Sequence, residues 1–410
     1  MLHSRHETER PHLDYLFGLE RRGIKLGLGP TTELLRRCGD PQSDLSIVQI
    51  AGTNGKGTTA ALTARILQEH GRRVGLFTSP HLLRLHERIR VDGAPIEDGY
   101  IIAWLDRQRP DIEAIPATFF EAITALALCY FSDRQVDVAV LETGLGGRLD
   151  STTATTPSWT ALTPIAMDHM DMLGDTLEAI AREKAGILKP GVPCYSAQQR
   201  PEVEAVIRAE AQRAAAPVID LDPHEQVPQP RNLAGAHQHA NARLAWALTQ
   251  GILGGDFDSG RATRAVAATI WPGRYQQLGS HPKIIYDVAH NPHGMAAFLG
   301  TLAAEPVRGR RRLVLALQEG KGAEELLSLL LPVFDAVTFT QTETRHFIPA
   351  AHLAKLAAGG KHRTRTEPNP IAAIAAILSE AGQDDLVVIL GSHYLGPAVA
   401  EVFKISFDNL

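Results

Sequence analysis

The chain has 410 residues, of which 44% are hydrophobic and 21% charged, and its formal net charge is -5 at pH 7. This length is sufficient for two domains with separate cores, and the composition is that of a globular protein. The small negative charge excludes a general electrostatic attraction to nucleic acid or to an anionic membrane, so we expect neither as a partner.

The cysteines and the N-terminal sequence predict a cytoplasmic protein. Cys38, Cys129 and Cys194 lie far apart, without the spacing of a disulfide framework or a cysteine-rich zinc site, and they suit a reducing compartment. The first residues contain no apolar segment typical of a signal peptide, and no run is long enough to cross a membrane.

A strand, a glycine-rich turn and a helix are predicted in succession after two short helical stretches within residues 11–38. Residues 47–51 read as a buried strand, and residues 60–67 have the apolar spacing of a helix. Glycines let backbone N–H groups converge on an anion, the helix N-terminus adds partial positive charge, and Lys56 adds a full one. The turn therefore predicts a phosphate-binding loop formed by Thr53, Asn54, Gly55, Lys56, Gly57 and Thr58.

This loop departs from the standard P-loop pattern. Only two residues separate Gly52 from Gly55, and Gly57 stands in the hydroxyl position, so Thr58 is the first hydroxyl residue after the lysine. The alternative is a glycine-rich turn that binds no ligand.

Two further predicted strands end at residues that suit a magnesium ion. Residues 73–78 form an apolar run before Ser79, and residues 136–142 form a buried strand that ends at Glu142. Ligands bind at the carboxyl ends of parallel strands, where oxygen ligands can hold Mg²⁺ beside a P-loop. A turn role is the alternative for Ser79, and the glycines after Glu142 are a weak match to a dinucleotide-binding fingerprint.

The remaining elements alternate between helices and strands. Thr118 and Glu121 have the spacing of a capping box, which predicts a helix from there through Tyr130. Further strands are predicted at 159–163 and 193–196, and helices at 201–214 and 239–250. Residues 271–275 mark a boundary, after which strands at 284–286, 313–317, 336–339 and 386–390 alternate with helical segments. Asp287 ends the first of these strands, a position that suits a ribose hydroxyl; capping the next helix is its alternative role.

Several motifs together resemble the folylpolyglutamate synthase/dihydrofolate synthase family, a branch of the ATP-dependent amide ligases that includes the Mur ligases. The resemblance runs from about Asp14 to Ile405. Its motifs are Ala51-Gly52-Thr53-Asn54-Gly55-Lys56-Gly57-Thr58-Thr59, Thr78-Ser79-Pro80-His81-Leu82, Glu142-Thr143-Gly144-Leu145-Gly146-Gly147-Arg148-Leu149-Asp150 and Asp168-His169 with Arg182-Glu183-Lys184-Ala185-Gly186-Ile187. One departure follows: Asp150-Ser151-Thr152-Thr153 stands where Asp-Ala-Thr-Asn is typical.

The resemblance implies an α/β fold with two domains. Residues 1–272 would form an N-terminal P-loop-type ATPase domain with a mostly parallel sheet, and residues 273–410 a smaller Rossmann-like α/β domain. It implies a monomer that binds ATP, Mg²⁺ at two sites, L-glutamate, and either dihydropteroate or a folate, and it allows for a monovalent cation.

The resemblance also implies roles for individual residues. The second metal site would be formed by His169 and a carbamylated Lys184, because a carbamate supplies the oxygen ligands that an ammonium lacks. Asn241 would contact adenine, Asp287 the ribose, and His290 with Ser392 the glutamate. The substrate pocket would be lined by Lys25, Leu26, Gly27, Leu28, Thr118, Phe119, Phe120, Glu121, Leu149, Asp150 and Ser151.

Chemically, these groups suit a ligase better than a kinase. Transfer of the γ-phosphoryl group to a carboxylate makes an acyl phosphate, which an amine then attacks. Lys56 and the metals would neutralise the phosphates, Arg274 would stabilise the intermediate, and domain closure would exclude water. The alternatives are another Mur-type amino-acid ligase, or a nucleotide-binding module without catalysis; the latter would be expected to lack Lys56, Glu142 or His169.

Overall fold

The computed structural model describes residues 11–343, 346–358 and 363–408, which divide into two compact units. The first unit contains residues 11–231, His237–Thr269 and Asp408, and the second contains Asn232–Ala236 and Ile270–Phe407. The division at 272/273 remains a prediction about domains. None of the described helices is both long and apolar enough to span a membrane.

The first unit consists of a mostly parallel sheet and the helices that pack against it. Its strands are β1 Ile47–Ala51, β2 Val74–Phe77, β3 Ile89–Val91, β4 Ala94–Pro95, β5 Val138–Glu142, β6 Trp159–Leu162, β7 Cys194–Ser196 and β8 Val218–Asp220, in the order β4-β3-β2-β5-β1-β6-β7-β8. Its helices are α1 Pro11–Gly18, α2 Gly29–Arg37, α3 Lys56–Glu69, α4 Asp98–Ala114, α5 Phe119–Asp133, α6 Met170–Leu173, α7 Leu177–Ala185, α8 Pro201–Ala214, α9 Ala236–Leu253 and α10 Ser259–Ala268.

The register of the central strands places several predicted site residues at one edge of this sheet. Strand β1 lies between β5 and β6, parallel to both, and every residue of β1 and β5 is buried. Ile50 pairs with Glu142, and Ala51 pairs with Leu162. The segments that follow β1, β5 and β6 therefore leave the sheet at the same edge, which is where open α/β sheets bind ligands.

The second unit has its own parallel sheet with one antiparallel edge strand. Its strands are β9 Gln276–Ser280, β10 Lys283–Asp287, β11 Arg311–Leu315, β12 Ala336–Phe339, β13 Arg363–Thr366 and β14 Leu386–Leu390, in the order β13-β12-β11-β14-β10-β9. Its helices are α11 Pro292–Leu302, α12 Ala323–Leu330, α13 Ala350–Leu356, α14 Pro370–Glu380 and α15 Gly396–Phe403. The predicted α/β class with mostly parallel sheets is confirmed.

Each unit has a separate apolar core. In the first, α5 contributes buried residues on most of its surface because it packs between the sheet and helices α1, α2 and α4. In the second, Ile285, Leu313 and Val388 from neighbouring strands pack with Phe298 of α11. The rigid strands of each core fix the positions of the loops that follow them.

Candidate active site

The glycine-rich loop has a backbone that only glycine fits. Gly52 has φ +140° and Gly55 has φ +90°, both in the left-handed region. A Cβ atom at Gly52 would lie 1.9 Å from the Thr163 hydroxyl oxygen, and one at Gly55 would lie 2.3 Å from Asn241 Oδ1. A hydrogen bond also holds the loop to the segment after β6, because the Thr53 amide donates to the Pro164 carbonyl at 3.0 Å. These constraints preform a concave backbone.

Helix α3 begins directly at this loop, earlier than residue 60 where the sequence pattern became clear. Lys56 is its first residue, and the Lys56 ammonium donates to the Thr53 carbonyl at 3.1 Å. The Thr58 hydroxyl is fully buried, with no hydrogen-bond partner among the described residues. A buried hydroxyl at a helix N-terminus and an adjacent ammonium fit a phosphate with its cation.

Ser79 and Glu142 lie together at the ends of β2 and β5. The Ser79 amide donates to Glu142 Oε2 at 2.9 Å, and the Glu142 side chain is buried. A hydroxyl and a carboxylate are oxygen ligands suited to Mg²⁺. Within the described ranges no group of three or more His, Cys, Asp or Glu side chains converges, so protein carboxylates and imidazoles do not by themselves complete a metal site there. A magnesium ion held by Ser79 and Glu142 would need further oxygen ligands from its substrate or from water.

Lys184 points into the phosphate loop. Its side chain is 5% exposed, and Nζ donates to the Gly52 carbonyl at 2.8 Å. The alternative to a metal-site role for Lys184 is an ion pair with Glu183 or Glu178 on the helix surface, and the burial of the lysine does not fit that alternative. Glu183 instead pairs with Arg148. The burial follows from the sequence of α7, in which Ile180, Ala181, Lys184 and Ala185 share the face that packs inward.

His169 lies at the start of α6, which packs against α7. It has φ +49° and is exposed, and its Nε2 atom is 3.9 Å from a carboxylate oxygen of Asp168. A non-glycine residue in this conformation carries backbone strain, which is often found at functional positions. The structure therefore brings His169 to the helix pair that carries Lys184.

The predicted substrate residues come from three segments that the fold brings together. The Lys25 ammonium donates to the Pro116 carbonyl at 3.3 Å, two residues before Thr118. The Gly27 amide donates to the Leu149 carbonyl at 3.3 Å. Leu26 is 42% exposed, and Leu28 immediately precedes α2. The predicted segments at 25–28, 118–121 and 149–151 are thus neighbours in space.

The capping box at the start of α5 is confirmed. Glu121 Oε2 accepts the Thr118 amide at 2.6 Å, and the Thr118 hydroxyl accepts the Glu121 amide at 3.4 Å. Phe119 is buried and stacks on Phe17, with ring centroids 5.8 Å apart. The side chains of Thr118, Phe119 and Glu121 therefore make contacts within the protein itself.

Phe120 differs from its neighbours in α5, because it is only half-buried. Its ring lies 5.8 Å from that of Phe77 and covers Gly144, where a Cβ atom would be 2.5 Å from the ring. An aromatic ring at this position is available for stacking on a planar ligand.

Asp150 is an internal acceptor. Its Oδ2 atom accepts the amides of Gly144 and Leu145 at 2.9 Å, and its Oδ1 atom accepts the amide and the hydroxyl of Thr152. Burial raises the pKa of Asp150, and these hydrogen bonds oppose the increase. Ser151 is buried beside it. Asp150 thus shapes the glycine segment that covers the Phe120 ring.

Asn241 lies on the other side of the phosphate loop. It is buried on α9, its Nδ2 atom donates to Gln238 Oε1 at 3.0 Å, and its Oδ1 atom faces Gly55. An amide has both a donor and an acceptor, as recognition of a purine edge requires.

In the second unit, Asp287 organises the loop after β10. Its two carboxylate oxygens accept the amides of Tyr275 and Ala289, each at 2.7 Å. Burial raises the pKa of Asp287, and the charge of Arg274 opposes the increase. Asn291 caps α11 by accepting the Gly294 amide at 2.8 Å, so the alternative role of Asp287 as the helix cap is wrong.

Arg274 and His290 converge on a histidine that sequence reasoning did not select. Arg274 Nη2 is 3.3 Å from His393 Nε2, and the His290 and His393 rings are 5.7 Å apart. Ser392 is buried before His393 and caps the turn His393–Leu395. Because β10 and β14 are adjacent and parallel, the residues after both strands meet at one edge. That adjacency is the signal that could have identified His393.

Comparison with known proteins agrees with this architecture. The Mur ligase middle domain matches residues 50–227, and the Mur ligase glutamate ligase domain matches residues 273–393. The dihydrofolate synthase/folylpolyglutamate synthase of Bacillus subtilis is 34% identical over 416 residues, which cover 93% of this chain and 95% of that protein. The fold and these matches define a Mur ligase-type enzyme.

Solved structures make the assignment more specific. Escherichia coli FolC, determined in complex with DHPP and ADP, has a TM-score of 0.87 and 30% identity, and the match covers 97% of this chain and 99% of that one. A bifunctional folylpolyglutamate synthase/dihydrofolate synthase with Mn, AMPPNP and L-glutamate bound has a TM-score of 0.86 and 30% identity, with 97% and 99% covered. The chain belongs to the dihydrofolate synthase/folylpolyglutamate synthase family.

Proposed function

We propose that the chain is an ATP-dependent ligase that joins L-glutamate to the carboxylate of dihydropteroate, to the terminal glutamate of a folate, or to both. The observation that carries this proposal is the preformed glycine loop of residues 52–57, with Lys56 and buried Thr58 inside it and the Ser79–Glu142 pair at the same sheet edge. The complexes of related enzymes with ADP, DHPP, AMPPNP and L-glutamate support the choice of ligands.

The loop would bind the phosphates of ATP. The amides at the start of α3 and the Lys56 ammonium, which lies 3.1 Å from the Thr53 carbonyl oxygen, would stabilise negative charge on the β- and γ-phosphates. Ser79 and Glu142, with oxygen atoms of the phosphates or of water, would hold Mg²⁺, which would lower the charge repulsion between the phosphates and the incoming carboxylate. Asn241, which lies beside Gly55, would contact the adenine.

The reaction would proceed through an acyl phosphate. A carboxylate does not acylate an amine at neutral pH, because its oxygen is a poor leaving group. Phosphorylation by ATP creates a good leaving group, and the amine of glutamate then attacks the carbonyl carbon, forming the amide and releasing phosphate. Arg274, held beside His393, would stabilise negative charge on the intermediate, and His290 and Ser392 would contact the glutamate.

Lys184 would supply a second set of metal ligands as a carbamate. Its Nζ atom is buried and lies 2.8 Å from the Gly52 carbonyl oxygen, beside the phosphate loop. A neutral amine can attack CO₂, losing a proton to give the carbamate. The modified nitrogen keeps one N–H, which is sufficient for the bond to the Gly52 carbonyl. His169 would complete this site, and any monovalent cation would bind nearby.

The pterin part of the substrate would lie against Phe120 and the exposed Leu26, beside the segments at 25–28 and 149–151 that the Gly27–Leu149 hydrogen bond joins. We expect the partners to be these small molecules, with the enzyme a cytoplasmic monomer that binds neither membrane nor nucleic acid.

The direct test is to measure ADP formation and product mass with purified protein. We expect ADP in excess over enzyme only when ATP, Mg²⁺, L-glutamate and either dihydropteroate or tetrahydrofolate are all present, with one glutamate added per ADP. Separate assays of the two pterin substrates show which activities the chain has. If the protein ligated glutamate to neither dihydropteroate nor tetrahydrofolate, the proposal would be contradicted.

A further inference from the structure

A buried side-chain amide connects the strand before the phosphate loop to the segment after Glu142. Gln49, in the middle of β1, donates through Nε2 to the hydroxyl of Thr152 at 3.0 Å and to the hydroxyl of Thr153 at 2.6 Å. All three side chains are buried. We call this arrangement the amide fork. Thr153 is part of the sequence departure noted above, since asparagine is typical at its position.

The orientation of the amide follows from its neighbours. The Thr152 hydroxyl donates to Asp150 Oδ1, and the Thr153 hydroxyl donates to the Gly147 carbonyl, each at 2.6 Å. Carbonyl and carboxylate oxygens only accept hydrogen bonds, so each hydroxyl must give its single proton to them. Each hydroxyl can then only accept from Gln49, which requires the NH₂ end of the amide to face both threonines.

One branch of the fork ends at the candidate pterin pocket. Through Thr152 it fixes Asp150, which accepts the amides of Gly144 and Leu145. Gly144 is the residue that the Phe120 ring covers. The Thr152 branch therefore helps to fix the position of the Gly144 backbone against the Phe120 ring.

The other branch ends at Lys184. Through Thr153 it holds Gly147, where a Cβ atom would lie 2.7 Å from the Lys184 carbonyl oxygen, so the two backbones are in close contact. The next amide, that of Arg148, donates to the Glu183 carbonyl at 2.8 Å. Lys184 in turn reaches Gly52, three residues after Gln49 in the chain. The Thr153 branch thus connects Gln49 through Gly147 and Lys184 to Gly52 in the phosphate loop.

We propose that Gln49, Thr152 and Thr153 are positioning residues for the ligase reaction, with Thr152 acting on pterin binding and Thr153 acting on the Lys184 side of the phosphate site. This inference rests on the function proposed above. It differs from a purely structural role because the two hydroxyls, held by one amide, act on different steps.

The test compares Thr152→Val with Thr153→Val, which each remove one hydroxyl and keep the shape of the side chain. For Thr152→Val we expect KM for dihydropteroate to rise about 10-fold with kcat within about 2-fold, since a buried hydrogen bond is lost on that branch alone. For Thr153→Val we expect kcat to fall about 10-fold, with KM for dihydropteroate within about 2-fold and a higher Mg²⁺ requirement.

Serine at either position keeps the hydroxyl, so Thr152→Ser and Thr153→Ser should restore the wild-type constants. Thr160→Val is the matched control: Thr160 is buried on β6 and pairs in register with Gln49, but its hydroxyl donates to the Pro193 carbonyl outside the fork. Its kinetic constants should be those of the wild type.

Residue-resolved hydrogen exchange tests the fork without relying on activity. Exchange of the Gly144 and Leu145 amides should increase only in Thr152→Val, and that of the Arg148 amide only in Thr153→Val. Identical kinetic and exchange changes in both variants, or a lower melting temperature with unchanged kinetics and exchange, would overturn the proposal. A wild-type protein without ligase activity would refute the proposed function, while the exchange measurements would still decide whether the two branches are separate.

Discussion

At the scale of single residues, the phosphate loop depends on what glycine permits at position 55. Gly55 combines a left-handed backbone with a contact that leaves no space for a methyl group, because Asn241 lies directly against it. The same contact holds the amide that is expected to face the adenine. We therefore expect loop shape and nucleotide recognition to be coupled through Gly55 and Asn241.

Gly55→Ala tests this coupling. We expect it to weaken ATP binding by at least about 10-fold, because strain of about 1 to 3 kcal/mol at φ +90° adds to displacement of Asn241. Isothermal titration with an ATP analogue measures the affinity. Gly93→Ala is the control, since Gly93 has φ +82° but nothing within 4 Å of the added methyl group. Equal ATP affinities in the two variants would show that the Asn241 contact is unimportant.

Lys184 carries the second prediction at this scale. Lys184→Ala should reduce ligation at least about 100-fold, because the carbamate oxygens and the bond to Gly52 are both lost. Short carboxylic acids should partly restore activity by occupying the vacated space. The matched control is Lys189→Ala, a half-buried lysine that follows α7.

Mass analysis of the intact protein under bicarbonate should show one carbamate, and electron density should locate it at Lys184. An active, magnesium-loaded enzyme that carries an unmodified Lys184 would contradict this assignment.

Sequence reasoning selected residues where a motif combined several residue types, and it missed residues whose proposed role depends on a distant partner. Gly52, Lys56 and Glu142 were selected because of their places relative to strands and a helix. Gln49 was not, because it is only a polar residue in a mostly apolar run until the fold brings Thr152 and Thr153 to it.

At the scale of secondary-structure elements, the second unit depends on a buried ion pair at the start of its central strands. Asp385 accepts the Arg310 amide and Arg312 Nε, each at 2.7 Å, and the Gly382 amide at 3.0 Å. These contacts join the residues before β14 to the first residues of β11, and the side chains of Arg312 and Asp385 are about one-tenth exposed. Burial opposes ionisation, but the hydrogen bonds and the guanidinium lower the pKa of Asp385 overall.

Asp385→Asn should therefore destabilise the protein by about 2 to 3 kcal/mol in urea unfolding, since Arg312 loses its buried charge partner and one amide faces an NH₂ group. Because the folded-state pKa is the lower one, the carboxylate stabilises the protein above about pH 4. The difference from wild type should shrink as pH falls through the folded pKa. Glu380→Gln, at the exposed end of Arg312, is the control and should cost under about 0.5 kcal/mol. A difference for Asp385→Asn that does not change with pH would contradict this account.

The elements themselves were predicted where apolar residues formed continuous runs. The predicted strands at 284–286, 313–317, 336–339 and 386–390 correspond to β10, β11, β12 and β14. In each of these strands every residue after the first is buried. Strands β9 and β13 were missed. Strand β13 has the sequence Arg363-Thr364-Arg365-Thr366 and is exposed along its length. It is an edge strand that pairs only with β12 among the described strands, so no apolar run marks it in the sequence.

At the scale of the whole molecule, the sequence motifs sufficed for the fold class and the family, because both depend on local patterns in a fixed order. The arrangement of the pterin segments did not follow from the sequence. Residues 25–28 and 149 lie far apart in the chain and meet through one backbone hydrogen bond, from Gly27 to Leu149. Such a contact leaves no trace in composition or periodicity.

In the proposed reaction, ATP activates a pterin carboxylate as an acyl phosphate before glutamate attacks. The most direct test uses dihydropteroate whose carboxylate oxygens carry a heavy-oxygen label, with mass analysis of the phosphate released during ligation. Each phosphate should contain one labelled oxygen, and the new amide should keep the other. Release of unlabelled phosphate alongside product formation would contradict it.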